Sequence, residues 1–279
     1  MTTLDKRVSF FIMTLVVAWA GFDDKSRHRR KVSSLYIAAD SRINWKGTSR
    51  YDGHQKVFAS VKHPEIFGFC GDVTFCNMAI SQILAKIDSD ILFGPDEQYK
   101  SEVVAKEMQK MLTGYPSIAG IANSEIIYGT RIAKEFHFFL YRFPHCEVVM
   151  SEWPITEEKR REIYFGGSGK DSFNSNWIDV DHEKDNNRLT TRNVYHCIAR
   201  TIEQCADLQV GGVPQLVGLY RGGNGRQFGI VKNSEYFFRG VPCKDIALLN
   251  NVEWRNDNFE RVDVVTGKLI PDAHPQPMK

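Results

Sequence analysis

Paired metal or disulfide ligands are missing from this sequence. Its six cysteines (Cys70, Cys76, Cys146, Cys197, Cys205 and Cys243) contain no C-x-x-C spacing, and its eight histidines contain no H-x-x-x-H. Both absences argue against a zinc site and a disulfide framework, and in a chain of 279 residues they point to reduced thiols in a cytoplasmic setting. No metal and no cofactor is expected. An excess of one charge is missing too. A net charge of +2 gives no electrostatic case for nucleic acid or an anionic membrane as the main partner. The cluster Gly222-Gly223-Asn224-Gly225 lacks a following G-K-[ST] and a following helix pattern, so it reads as a hairpin turn and not as a phosphate loop. The apolar run 8–22, about 15 residues, falls short of the roughly 18–20 that a bilayer span needs. With Lys6 and Arg7 ahead of it and Ala18-Trp19-Ala20 behind, it has the outline of a secretory leader. Cutting after Ala20 would remove the natural neighbour of the next apolar strand, so the cytoplasmic reading is preferred.

No internal repeat, low-complexity tract or linker divides the chain, and 42% hydrophobic residues suffice for one sizeable core. Residues 14–22 read as a buried strand, 23–32 as a charged hairpin tip and 34–39 as the return strand. The basic residues Lys25, Arg27, Arg29, Arg30 and Lys31 fall on that tip and read as a solvated face. Short strands are expected at 56–60 and 65–70. Gly71-Asp72 then opens a helix with Phe75, Met78, Ala79, Ile83 and Leu84 on one face, and a second helix covers 101–113. Strands follow at 125–132, 135–142, 147–150 and 162–165, then a polar loop from Gly166 to Asn187. A helix from about 190 to 207, ended by Gly211-Gly212, leads to strands at 213–220, 226–231 and 235–238. The polar, proline-bearing tail beyond 255 reads as an extended arm or disordered. This order is α+β, and two antiparallel sheets packed face to face with helices outside would bury every apolar stripe.

The segment Ile37-Ala38-Ala39-Asp40-Ser41-Arg42 delivers a carboxylate and a guanidinium at the end of an apolar strand, and Lys56 follows. If the hairpin turns at residue 27, the middle of the charged segment, Thr14 lies opposite Asp40. A threonine hydroxyl needs a base within hydrogen-bond reach, and a free α-amine on the same residue, with an unperturbed pKa near 8, can serve. A neighbouring ammonium disfavours protonation of that amine, and it stays charged in a buried site only beside a carboxylate. Asp40 and Lys56 can be that pair, which makes Thr14 the expected nucleophile over Thr2 and Thr3. Thr14 would be exposed either by a true start at Met13 or by self-cleavage of residues 1–13.

These residues resemble the proteasome-type branch of the N-terminal nucleophile hydrolases, which includes proteasome β-subunits and their bacterial counterparts. Met13-Thr14-Leu15-Val16-Val17-Ala18-Trp19 is similar to the family's threonine start, and Ile37–Arg42 with Lys56-Val57 to its second and third strands. Phe69-Cys70-Gly71-Asp72 resembles the turn whose N–H helps form the oxyanion hole. Gly167-Ser168-Gly169 and Asp207-Leu208-Gln209-Val210-Gly211-Gly212-Val213 resemble two further site motifs, with Val210 standing where the family usually has serine. The resemblance implies a four-layer αββα sandwich over residues 13–240, with 1–12 an upstream start or propeptide and 241–279 a C-terminal extension. It implies threonine-type peptide or amide hydrolysis without a cofactor. Its catalytic set is Thr14, Asp40, Lys56, Ser168 and Asp207, with Gly71 in the oxyanion hole and Arg42 and Gly169 in support. It also implies a peptide or protein substrate and a homo-oligomeric ring, with an unfoldase partner left open. A catalytically inactive subunit of the same fold is the alternative.

Overall fold

A computed structural model describes residues 14–23, 31–45, 49–94, 97–116, 120–155, 163–182, 190–244 and 252–271. The charged hairpin tip at 24–30, residues 1–13 with Thr2, Thr3 and Met13, and the end of the tail at 272–279 lie outside the described residues. The chain begins with β1 (Val16–Asp23), β2 (Lys31–Ala39), β3 (Arg42–Trp45), β4 (Ser49–Asp52), β5 (Val57–Ala59) and β6 (Glu65–Cys70). Helices α1 (Val73–Asp88) and α2 (Lys100–Thr113) lead to β7 (Glu125–Ile132), β8 (Glu135–Arg142), β9 (Val149–Trp153) and β10 (Tyr164–Gly166). Helices α3 (Lys170–His182) and α4 (Thr191–Gln204) precede β11 (Gln215–Tyr220), β12 (Arg226–Lys232), β13 (Glu235–Phe238), β14 (Val241–Pro242), β15 (Glu253–Arg255) and β16 (Arg261–Val262).

Two main sheets result. One runs β10-β1-β2-β11-β12-β13-β14, with β15 and β16 joined at β12; the other runs β5-β6-β7-β8-β9. Every pairing is antiparallel except that of β12 with β15, and the architecture is α+β. β1 explains the unbroken apolar run that encodes it, because both its faces are covered. Val16 and Ala18 meet Ile66, Ile127 and Leu140 of the other sheet, whereas Leu15, Val17 and Trp19 meet α3 and α4 through Phe173, Val194 and Ile198. The helices α1 and α2 cover the five-stranded sheet through Phe75, Ile80, Val104 and Met108. α1 starts where Gly71-Asp72 predicts, with the Asp72 carboxylate accepting from Phe75 N at 2.7 Å as an N-cap.

Three readings of the sequence are corrected. The stretch 170–182, read as part of a polar loop, is α3. Its Asn, Ser and Asp residues are poor helix formers, and the helix is fixed by tertiary packing of Phe173, which lies 5.2 Å from Phe165 and 6.2 Å from Trp177 ring to ring. Residues 42–45 and 49–52, which carried no reading from the sequence, pair as a two-stranded ribbon, β3–β4. The tail past 255 is not a loose arm as far as residue 271: β15 and β16 add to the sheet, and Trp254 packs with Val262 and Val264 in a small core of their own. We expect Trp254→Ala, which empties a site only 2% exposed, to cost about 3 kcal/mol. A fall in Tm with proteolytic clipping confined to the tail would show it; an unchanged digestion pattern would refute the docking.

The third correction concerns register. A turn centred on residue 27 would set Thr14 against Asp40. The observed ladder obeys that register only near the tip, where Phe22 pairs with Val32 and Asp23 with Lys31. Between Gly21 and Phe22 the register shifts, and from there Gly21 pairs with Ser34 and Val16 with Ala39. The extra residue is Ser33, whose hydroxyl donates to Gly21 O at 3.0 Å. Such a β-bulge moves everything beyond it by one position, so Asp40 N donates to Leu15 O at 3.1 Å.

Candidate active site

The end of the β1–β2 hairpin is where the sequence-predicted residues gather. Strict alternation in the shifted register would put the Thr14 and Asp40 side chains on opposite faces. The strands end at Val16 and Ala39, however, and beyond those ends the pleat no longer dictates direction. Thr14 Oγ1 donates to Asp40 Oδ1 at 2.8 Å, and Lys56 Nζ donates to the same oxygen at 2.7 Å. Leu15 N adds a third bond to Oδ1 at 2.9 Å. The other oxygen, Oδ2, accepts from Arg42 N and Gly211 N, both at 3.1 Å. Thr14, Asp40 and Lys56 are all buried. A buried ammonium is tolerable only beside such an anion. Burial pushes Lys56 below its ordinary pKa, and the charge and hydrogen bond of Asp40 pull only part of the way back. His54 is also pushed down, first by burial and then by the Lys56 charge. Its Nε2 is a buried nitrogen without a partner among the described residues.

The loop after β10 supplies Ser168 and Gly169. Thr14 N lies 3.4 Å from Ser168 Oγ, to which it donates, and Gly169 N donates to Thr14 O at 3.1 Å. The backbones approach this closely because residue 167 is glycine: its φ is +91°, and a side chain there would collide with Thr14 O. Gly71 ends β6 with φ +105°, pressed against Ser124.

Arg42 braces the site from outside. Its guanidinium binds Asp52 in a two-pronged pair, Nε to Oδ1 at 2.6 Å and Nη2 to Oδ2 at 2.7 Å. Nη1 donates to Val210 O at 3.2 Å and Leu208 O at 3.4 Å. The bonded Asp52 raises the Arg42 pKa, and the bonded Arg42 lowers that of Asp52. Arg42 thus fixes the 208–211 loop whose Gly211 N–H reaches Asp40. Arg42→Lys keeps the charge but loses the fork, and we expect the loop to loosen. Faster hydrogen exchange at 208–211 checks this, and unchanged exchange there would count against it.

Asp207 stays apart from the group. Its carboxylate accepts from Gln209 N at 2.9 Å, within its own turn, and it makes no hydrogen bond to Thr14 or Ser168. Val210 is buried against Leu15 and the α3–α4 core, so its place is one of packing. Sequence reasoning missed Gln215, whose carboxamide touches the backbone of both Asp40 and Lys56. The available signal was a glutamine at the head of the otherwise apolar strand Leu216–Tyr220.

Among the described residues no group of His, Cys, Asp and Glu could hold a metal ion, and no helix is long and apolar enough to cross a membrane. No family profile matches the chain, and no curated protein matches it in sequence. In three dimensions it is similar to a mutant of Anbu from Hyphomicrobium sp. strain MC1, at 15% sequence identity and a TM-score of 0.52. The match covers 77% of this chain and 86% of that one. Anbu is a bacterial proteasome-like protein, and at this identity the likeness establishes a proteasome-like fold.

Proposed function

We propose that this chain hydrolyses peptide or amide bonds with Thr14 as an amino-terminal nucleophile. The observation that carries the reading is the sharing of one Asp40 oxygen by the Thr14 hydroxyl and the Lys56 ammonium. The finer architecture in this reading is a four-layer αββα sandwich spanning 13–240, with 241–279 as an extension. Separate apolar cores on the outer side of each sheet and between the two sheets support it.

In the mechanism, residues 1–13 are absent from the working enzyme and the Thr14 amine is free. That amine takes the hydroxyl proton as Oγ1 attacks the substrate carbonyl carbon. The nearby Lys56 ammonium favours the unprotonated amine beforehand. The developing oxyanion is received by Gly71 N–H. Collapse of the tetrahedral adduct breaks the C–N bond, and the leaving amine carries away the proton held by Thr14. The resulting ester is attacked by water, which gives a proton to the same amine, and the amine returns that proton to Oγ1 as the C–O bond breaks and the acid leaves. Ser168 Oγ, within reach of Thr14 N, orients the amine, and Gly169 N holds the Thr14 carbonyl. Asp207 serves by shaping the loop that carries Gly211.

Backbone strain also supports removal of the preceding residue. Thr14 has φ +145°, a region that a β-branched residue occupies at a cost of about 1–3 kcal/mol. The first residue of a chain has no φ, so cutting before Thr14 relieves this. Intact-mass analysis of purified, active protein should give a chain beginning at Thr14. Hydrolysis of an N-capped fluorogenic peptide by protein that fully retains Met1 would defeat the proposal.

A further inference from the structure

We propose that Gln215 is a positioning residue for the Lys56–Asp40 pair, its carboxamide extending to Lys56 the join that the β3–β4 ladder and Ser41 O, accepting from Gly53 N at 3.0 Å and His54 N at 2.9 Å, make between the two backbone segments. The proposal deepens the hydrolase reading given above and rests on it.

The ladder of β2 with β11 ends where Gln215 pairs with Ala39, one residue before Asp40. Lys56 arrives from a different sheet, just ahead of β5. Its carbonyl is fixed on one side, accepting from Phe69 N at 3.3 Å. Its N–H faces the other way and donates to Gln215 Oε1 at 3.1 Å. Gln215 Nε2 donates to Asp40 O at 3.3 Å and to His54 O at 2.6 Å. One buried amide therefore satisfies the backbone on both sides of the ion pair and of the residue two before Lys56.

The orientation of that amide follows from its partners. Two carbonyls require a donor and one N–H requires an acceptor, so the flipped carboxamide would make all three contacts wrong. Buried backbone groups are seldom left unpaired, and here no ladder neighbour stands ready to replace the side chain. A shorter or apolar residue would leave His54 held by Ser41 O but Lys56 N without a partner, and would let residues 55–56 shift against residue 40. A shift of about 1 Å in a catalytic group can cost on the order of 100-fold in rate.

The charged and titratable groups around the Lys56 ammonium are Asp40, Asp52, His54 and Cys70, joined in the working enzyme of our reading by the Thr14 amine. The two chosen variants disturb this setting in opposite ways. Gln215→Met removes the three contacts and adds no charge. Gln215→Glu keeps the shape and the acceptor for Lys56 N, loses the donor, and adds an anion near the ammonium.

Both variants of the full chain are compared with the parent by NMR titration of 13C-labelled lysine, with Lys56 assigned through Lys56→Arg. In Gln215→Met the Lys56 titration should move down, because its grip on Asp40 loosens. In Gln215→Glu it should move up, because a further negative charge favours the ammonium. On a fluorogenic peptide, Gln215→Met should lose about tenfold or more in kcat while KM stays within about twofold, the sign of a misplaced group and not of lost binding. If Gln215→Met fails to fold, Gln215→Glu, of equal size, carries both measurements. Lys56 titrating as in the parent in the folded variants would overturn the proposal, whatever happens to the rate. Should the parent chain cleave no amide at all, the hydrolase reading falls by itself, and the titration still decides the role of Gln215.

Discussion

Thr14→Ala is expected to reduce amide hydrolysis to background, a loss of about 10⁴-fold or more in kcat/KM. The size of the effect follows from the role: without a nucleophilic oxygen no acyl-enzyme forms, and the remaining donors only bind. The fold should survive. The hydroxyl contributes one hydrogen bond to Asp40 Oδ1, and that oxygen keeps Lys56 Nζ and Leu15 N when it is gone. The expected stability cost is about 1 kcal/mol. Thr14→Ser retains the oxygen and should retain measurable turnover. The check is a side-by-side assay of the three proteins after identical purification, with melting curves. Hydrolysis by Thr14→Ala within tenfold of the parent would remove this residue from the chemistry.

The second large effect is expected from Asp40→Asn, on stability as well as activity. The substitution keeps the shape of the side chain and leaves the buried Lys56 ammonium without its counter-charge. Breaking a buried pair from one side costs about 3–5 kcal/mol. The double variant Asp40→Asn/Lys56→Met removes both charges and should recover part of that loss, while activity stays absent. Urea melts of the two single variants and the double give the coupling. The pH dependence has a definite sign. Lys56 already titrates below its ordinary value of 10.5, and loss of Asp40 pushes it lower. Between the folded value and 10.5 the unfolded chain binds more protons than the folded one, so stability rises with pH. The deficit of Asp40→Asn should therefore shrink as pH is raised towards 10. A deficit constant with pH would mean that the lysine is not the destabilising charge.

Much of this was readable from the sequence wherever local pattern and tertiary outcome agree. Glu125–Ile132 and Glu135–Arg142 form strands over the very residues expected, because their apolar and aromatic character suits a sheet and a two-residue turn separates them. Thr14, Asp40 and Lys56 were legible as a group because the peptide that carries each is distinctive. The rest depended on contacts distant in sequence. Nothing in Lys170–Trp177 announces a helix until Phe173 and Trp177 find the sheet. The bulge at Ser33 has no local signature, so a symmetric hairpin gave the right partners in a register wrong by one. Asp207 belongs to a motif but spends its carboxylate on its own turn, a choice set by the path of residues 207–210. Gln215 looked like an ordinary strand residue because its three partners come from two segments more than a hundred positions away.

The five donors converging on Asp40 limit what that residue can do. A carboxylate offers about four lone-pair directions, and here Oδ1 meets three donors and Oδ2 meets two. Asp40 is thus pinned from both oxygens by three backbone N–H groups and two side chains, so its carboxylate cannot turn without breaking several of these bonds at once.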